Sequence, residues 1–443
     1  MPLCYNGQKT GTRRQRTEGR KRKTEQIIQS SVIGFPTSVF GYWLSVLGFR
    51  TSVLRGEIYM FLTKVQLQNF RNYENLELTF GKRYNFLFGE NAQGKSSFLE
   101  ALFCFSLGKS YSAMQEHEVM RWGADYAIVK AEIKKESYLV PLEINYAQQN
   151  GNNYISKNIR LNNKHCPRVA ELIKNTFFIH FSPHDFNIIK GGSSFRRKFL
   201  DFLTTQLNPA HLMNLLIYNK CLAQRNILLK KYPQAKDLDV WNEQLAKTGS
   251  VIIAKRLSVL EKFIPVFIET AKEFFMENEF IGLEYMSTIR RGTARRAPTI
   301  DEIISSFHEK LNQIKQEEII RKMTLAGPHR DDFAITINEK PARHFASFGQ
   351  QHSLALALKL AQARLIKKEL NQNPILLLDD CFVGLDKTRQ NKIWTMLKNS
   401  DFSQVFITSP IATDLDLNSE DVEIYEVNEG TIKEQDQVKI KSN

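Results

Sequence analysis

One short stretch, Gly89-Glu90-Asn91-Ala92-Gln93-Gly94-Lys95-Ser96, constrains this chain more than any other part of it. The apolar run Tyr84 to Phe88 leads into it, and Ser97 to Leu107, rich in Phe and Leu, follows. Strand, glycine-bounded loop, Lys-Ser, helix: this is the context in which G-x-x-x-x-G-K-[ST] binds phosphate. The two glycines let the backbone curl so that its N–H groups converge on an anion. The start of the following helix adds its dipole. Gly89 through Ser97 are therefore the expected nucleotide-binding residues. Lys95 is placed to reach β- and γ-phosphate oxygens, and the Ser96 hydroxyl to ligate Mg²⁺. Upstream, Val65 and Leu67, then Leu76, Leu78 and Phe80, alternate with polar residues and predict a hairpin. The loop by itself does not separate ATP from GTP.

The second half of such a site comes much later. Pro374 precedes Ile375 to Leu378, which end in Asp379 and Asp380. This reads as a buried strand delivering two carboxylates at its C-terminal edge, where α/β sheets place ligands. Asp379 is the expected Mg²⁺ ligand and Asp380 the group that orients an attacking water, so these two are the catalytic candidates. Most of the chain separates the loop from the acidic strand. That implies a head assembled from both chain ends around an insertion. Between them, Ala346-Ser347-Phe348-Gly349-Gln350-Gln351 opens a helical run to Leu370, with Ser347 where an N-cap stands. Its free N–H groups make a second anion cradle. One nucleotide needs one cradle, so Ser347, Gly349 and Gln350 are read as serving the nucleotide of another subunit; the plain alternative is an ordinary helix cap.

Ser347, Gly349 and Gln350 resemble the signature of ABC-type ATPases. The order of motifs from Met60 onward resembles the RecF family. Its marks are Gln68-Asn-Phe-Arg-Asn-Tyr73, the loop, Phe181-Ser-Pro183, Arg196-Arg-Lys-Phe-Leu-Asp201, Gly327-Pro-His-Arg-Asp-Asp332, Ser347 to Gln351, and Leu378-Asp-Asp380 with Leu385-Asp386. The resemblance implies an α/β ABC-type P-loop head with an inserted helical lobe. It also implies ATP and Mg²⁺ as cofactors, and a homodimer that closes on two ATP molecules. The expected role is binding single- and double-stranded DNA at gaps without sequence preference, and assisting RecA loading with RecO and RecR in the cytoplasm. Hydrolysis is expected to be weak, so that nucleotide acts as a switch. Departures from the family pattern fall at His184, Phe348, His352 and Gly108 to Ser112. They leave the nucleotide residues intact and bear on contacts to DNA or across a dimer.

The expected organisation is a leader over 1–59, head segments over 60–190 and 323–443, and a helical lobe over 191–322. The formal charge of +14 points to an anionic partner. Half of it lies in residues 1–59, where ten Lys/Arg meet three Glu. That leader repeats Gly34-Phe-Pro-Thr-Ser-Val39 as Gly48-Phe-Arg-Thr-Ser-Val53, and is read as non-native or disordered. Its uncharged stretch, Val32 to Phe49, is broken by Gly34, Pro36 and Gly41 and is a poor membrane span. The five cysteines have neither disulfide nor zinc spacing. In the lobe, Leu212, Leu215, Leu216, Tyr218, Leu222 and Ile227 recur at helical spacing, as do Leu245, Ile252, Leu257 and Leu260, and predict a packed core. Pro265 is expected to kink or end the second helix. Arg196, Arg197 and Lys198, and separately Arg290, Arg291, Arg295 and Arg296, are candidate phosphate contacts or plain solvated surface. His329 and Arg330 are read as fixing a turn. No helix-turn-helix or zinc finger is apparent. Two other readings remain. A DNA tether with an SMC-like head needs long heptad runs, which are missing. A transporter subunit needs its signature close behind the phosphate loop.

Overall fold

The apolar run before the phosphate loop becomes the middle of a six-stranded sheet. The computed structural model describes residues 58–435 apart from 112, 114, 137, 149–154, 233–236, 290–297, 401 and 411–419. The leader before residue 58 and the Arg290–Arg296 cluster thus lie outside the described residues. Across the sheet the order is Thr431–Gln435, Val422–Asn428, Tyr84–Phe88, Gln404–Ser409, Ile375–Leu378, Phe178–Phe181. All neighbours are parallel except the first pair. Residues buried on both faces explain the continuous apolar runs, since helices or a second sheet must cover a parallel sheet.

The second, seven-stranded sheet carries the hairpin Ile58–Phe70 and Tyr73–Thr79, with Leu67 opposite Leu76 and Val65 opposite Leu78. The strands Tyr126–Lys135, Tyr138–Gln148 and Ile155–Leu161 continue it. The helix Lys95–Leu107 touches strands of both sheets and buries Phe98, Leu99, Leu102 and Phe105 completely. A helix that is apolar all round belongs in such an interlayer position.

The insertion is mostly helical, with one strand, Ile281–Met286, paired antiparallel to Asp332–Ile337. Ala210–Lys231 packs on Asp237–Lys272, and Ile300–Gln313 closes a separate core around Tyr218, Leu245, Ile252, Ile303, Phe307 and Leu311. Leu260, Phe263 and Phe267 of the long helix join the main core instead, so that helix links lobe and head. Three expectations are corrected. The long helix does not end at Pro265 but runs on to Lys272, because Phe263, Val266 and Phe267 around it are buried and hold it in place. Leu216 and Ile227 face solvent at 48% and 45% exposure; the buried face of their helix is Tyr218, Cys221, Arg225 and Leu229, so the apolar stripe is wider than the core it meets. Arg196 is not surface: it is 4% exposed and committed to Asp332. No helix among the described residues is long and apolar enough to cross a membrane.

Candidate nucleotide site

The loop Gly89–Ser96 curls between the sheet edge and the helix it starts. Gly94 has φ 123°, a region closed to most L-residues, and a Cβ there would lie 2.6 Å from Asn72 Nδ2 and 2.9 Å from the Tyr73 hydroxyl. A Cβ at Gly89 would collide with the Val427 carbonyl. The Gln68–Tyr73 motif thereby acquires a physical role. Asn72 Nδ2 donates to the Gln93 carbonyl at 2.8 Å, and the Tyr73 hydroxyl donates to the Gly94 carbonyl at 2.9 Å. Arg71, at φ 53°, is bidentate to Glu100 of the following helix. From the other side Gly430 N–H donates to the Gln93 carbonyl at 3.0 Å, and Glu429 N–H to Gln93 Oε1 at 2.7 Å. Glu90, Asn91 and Ala92 form the exposed rim, Ser96 is exposed, and Ser97 lies in the first turn of the helix that begins at Lys95.

The acidic strand brings its carboxylates to the same place. Ser96 Oγ donates to Asp379 Oδ1 at 2.9 Å, and Thr408 Oγ1 donates to the same oxygen at 2.7 Å. Thr408 Oγ1 also accepts the Asp380 N–H at 2.9 Å, so one hydroxyl fixes both aspartates. Thr408 is the penultimate residue of the neighbouring strand, and sequence reading missed it; a polar residue closing the apolar run Val405 to Ile407 was the available signal. Lys95 Nζ donates to the carbonyls of Gly89 and Glu90 at 2.6 and 2.7 Å. Asp380 holds φ 49°, and its Oδ1 is buried without a partner among the described residues. Burial raises the pKa of both Asp379 and Asp380; the Thr408 and Ser96 hydrogen bonds oppose this at Asp379, and the Lys95 charge opposes it at Asp380. Burial lowers the Lys95 pKa, against the pull of the two carboxylates.

These features fit a phosphate chain with its cation. An ammonium rests on loop carbonyls, one carboxylate oxygen lacks a donor, and an exposed serine is linked to the other carboxylate. Among the described residues no group of three His, Cys, Asp or Glu could hold a metal alone. Mg²⁺ normally completes its shell with substrate phosphates and water, so a serine and a carboxylate suffice.

Ser347 caps the helix Phe348–Leu370 in a reciprocal box. Its Oγ accepts the Gln350 N–H at 3.3 Å, and Gln350 Oε1 accepts the Ser347 N–H at 2.9 Å. Gln350 Nε2 also donates to Glu279 at 2.6 Å. Ser347 and Phe348 are exposed. His352, one turn in, is buried against Phe181 and Phe186, with its pKa held down to about 4 by burial and then by the Arg389 charge.

The Gly327–Asp332 motif lies in a different, fully engaged polar cluster. Arg256 is bidentate to Asp201 at 2.8 and 2.9 Å and donates to the Pro328 carbonyl at 2.7 Å. Asp331 accepts from the Tyr285 hydroxyl and from both N–H and Oγ1 of Thr288. Asp332 receives Arg196 at 2.6 and 2.8 Å. The Tyr218 hydroxyl donates to His329 Nδ1 at 2.7 Å, while Arg330 is exposed.

Comparison with known proteins places this arrangement. A family model described as "RecF/RecN/SMC N terminal domain" matches residues 61–433. The "DNA replication and repair protein RecF" of Bacillus mycoides (strain KBAB4) is 35% identical over 79% of this chain and 92% of its own length. That of Natranaerobius thermophilus is 37% identical over 79% and 91%. A solved structure of the recombination mediator protein RecF with ATP, of the RecFOR pathway, superposes with a TM-score of 0.76 at 30% identity, covering 86% of this chain and 99% of that one. A head closed by strands from both chain ends, a loop and two aspartates brought together across the chain, and this likeness over nearly the whole length of curated relatives lead to one assignment: the chain belongs to the RecF family of SMC-like ABC-type ATPases.

Proposed function

We propose that this protein is an ATP-gated DNA-binding protein of recombinational repair and replication. It acts in the cytoplasm, and its nucleotide sites are completed between two subunits. The observation that carries the reading is the division of labour within one chain. The loop and both aspartates meet in one site, while a second, exposed helix start is capped by Ser347 and tied to Glu279 away from that site. In the closed homodimer each ATP lies between one phosphate loop and the opposite Ser347-Gly349-Gln350. Gly89 to Ser97 wrap the phosphates, and Lys95 leaves its carbonyl contacts for the β- and γ-oxygens. Ser96 and Asp379 hold Mg²⁺, which neutralises phosphate charge when bound. Asp380 orients the attacking water. Its strained, half-buried carboxylate suits slow turnover, so ATP serves as a switch. DNA is bound through phosphates, single- or double-stranded and without base readout, favouring gapped structures. RecO and RecR are the partners through which RecA is loaded.

The test combines nucleotide binding, sedimentation and DNA binding. Lys95→Ala is expected to weaken ATP binding itself. Ser347→Arg is expected to bind ATP as the parent does but to lose ATP-driven dimerisation, because the link between nucleotide and interface is cut. Normal dimerisation of Ser347→Arg with ATP would refute the shared site. Binding to gapped, duplex and single-stranded DNA, with and without ATP, is expected to fall with salt, each duplex phosphate contact contributing a log–log slope of roughly 0.9. Changing Arg290, Arg291, Arg295 and Arg296 to Ala is expected to flatten that slope; an unchanged slope would remove this cluster from the DNA surface.

A further inference from the structure

The chain after Asp380 returns to the signature turn of its own subunit. The helix Lys387–Asn399 is capped by Asp386, whose Oδ1 accepts the Arg389 N–H at 2.9 Å. The Arg389 side chain folds back, with Nε 3.5 Å from Asp386 Oδ2. Its guanidinium lies so close over Gly349 that a Cβ there would collide with Nη1. A second contact runs beside it: a Cβ at Gly384 would stand 3.1 Å from Phe348 Cε1. Two residues of the signature turn, Phe348 and Gly349, are thus in contact with two residues of the stretch that begins at Asp380. A side chain at Gly349 would have to push the Arg389 guanidinium aside, and one at Gly384 would press on the Phe348 ring.

That stretch is braced as a unit. Val383 N–H donates to the Asp380 carbonyl at 3.2 Å and Leu385 N–H to the Phe382 carbonyl at 3.3 Å. Gln390 Nε2 ties the helix to it through the carbonyls of Phe382 and Leu385, at 3.2 and 3.0 Å. Asp380 holds φ 49° and Gly384 φ 77°, so the path turns sharply at both ends. The helix dipole does not favour the Arg389 contact, because a cation at a helix N-terminus meets partial positive charge. Asp386 and close packing hold it instead. Packed elements of this kind move between discrete arrangements and do not deform smoothly.

We infer that Arg389 is a positioning residue that sets the Ser347–Gln350 turn by the state of the Asp379–Asp380 loop, so that a subunit offers its signature to a second copy of this chain in the geometry its own nucleotide site dictates. The inference rests on the shared-site reading above. Movement of Asp380 on nucleotide binding shifts the braced stretch, and Arg389 and Gly384 carry the shift to Gly349 and Phe348. The two ATP sites of a dimer are then coupled within each subunit as well as across the interface.

A double-mutant cycle tests this, because physical proximity alone does not establish coupling. Dimerisation of the full chain is measured by sedimentation with Mg-ATP and with Mg-ADP, for the parent, Arg389→Ala, Asp380→Asn and the double variant. Monomer nucleotide affinity and melting temperature are measured alongside. Arg389→Ala is expected to weaken ATP-driven dimerisation on the order of tenfold. Monomer ATP affinity, melting temperature and behaviour with ADP stay at parent values, and Arg389→Lys recovers part of the loss. Asp380→Asn alone strengthens the ATP dimer, and the double variant loses that gain. Additive effects, or ATP-driven dimerisation of Arg389→Ala at the parent value, would overturn the inference. Should Arg389→Ala melt early, Arg389→Gln takes its place in the cycle under the same criteria. Ser347→Arg separates the two readings. If it dimerises normally with ATP, the shared site falls; if it does not dimerise and the cycle is additive, only the role of Arg389 falls.

Discussion

The phosphate-loop site and the Gly327–Asp332 cluster both bury charged groups and are both built from motif residues, yet their hydrogen bonding differs. Around Asp331 and Asp332 each carboxylate has donors, and Arg256 and Arg196 have carboxylates and carbonyls that match their forks. At the phosphate loop Asp380 Oδ1 has no donor among the described residues and Lys95 rests on carbonyls, while burial raises carboxylate pKa values at both places, Asp379 and Asp380 here and Asp331 there. A buried polar group costs free energy unless it is paired. The paired cluster is therefore a brace between lobe and head, and the phosphate-loop site has polar groups free to engage a phosphate chain. Motif residues alone do not distinguish the two; the state of their partners does.

The comparison can be broken most sharply at Arg256. Arg256→Ala leaves Asp201 without its fork, and removing one partner of a buried pair typically costs about 3–5 kcal/mol. Denaturant unfolding is expected to show a loss of that size, with no specific effect on nucleotide affinity measured on the folded protein. Asp380→Asn is the matched change at the other site: it is expected to leave stability unchanged or raised while abolishing turnover. Similar stability losses at the two positions would erase the distinction. Thr408→Val comes next. It removes a donor to Asp379 and the acceptor of the Asp380 N–H, and unmet groups of this kind cost about 1–3 kcal/mol; turnover should fall along with stability. Tyr218→Phe leaves His329 Nδ1 without its donor and is expected to cost about 1 kcal/mol, with ATP and DNA binding intact. The smallest effect concerns pH. Burial holds the His329 pKa down at about 4, below its ordinary 6.5. The neutral ring therefore contributes stability that is present above pH 6.5 and lost as pH falls towards 4. His329→Gln should make the decline of melting temperature across that window shallower; an unchanged decline would mean that other groups govern acid sensitivity.

The parts of the fold that were legible in the sequence are those written in local pattern. The hairpin strands around Leu67 and Leu76, the helix after Lys95, the buried strand before Asp379 and the Ser347 cap all follow from periodicity, glycines and capping chemistry within a few residues. What was not legible depends on contacts between distant segments. Nothing local to Asn72 and Tyr73 says that they hold the phosphate loop, and nothing local to Thr408 says that it serves two aspartates. Arg196 looked like surface charge because its partner Asp332 is far away in sequence. The exposed Leu216 and Ile227 show the converse: helical spacing gives the apolar face, but only the packed neighbours decide how much of it is covered.

The strand Tyr84–Phe88 has two partners in its sheet, Gln404–Ser409 and Val422–Asn428, and both come from the last part of the chain. During synthesis, therefore, the phosphate loop emerges long before the strands that will flank it. Its Phe-rich strand and the helix after it must wait on the ribosome with both sheet edges open, a state prone to wrong pairing. Pairings this far apart in sequence also slow the final closure. Loss of the segment beyond residue 400 would cost more than a few terminal strands: it would leave the nucleotide loop with no sheet on which to stand.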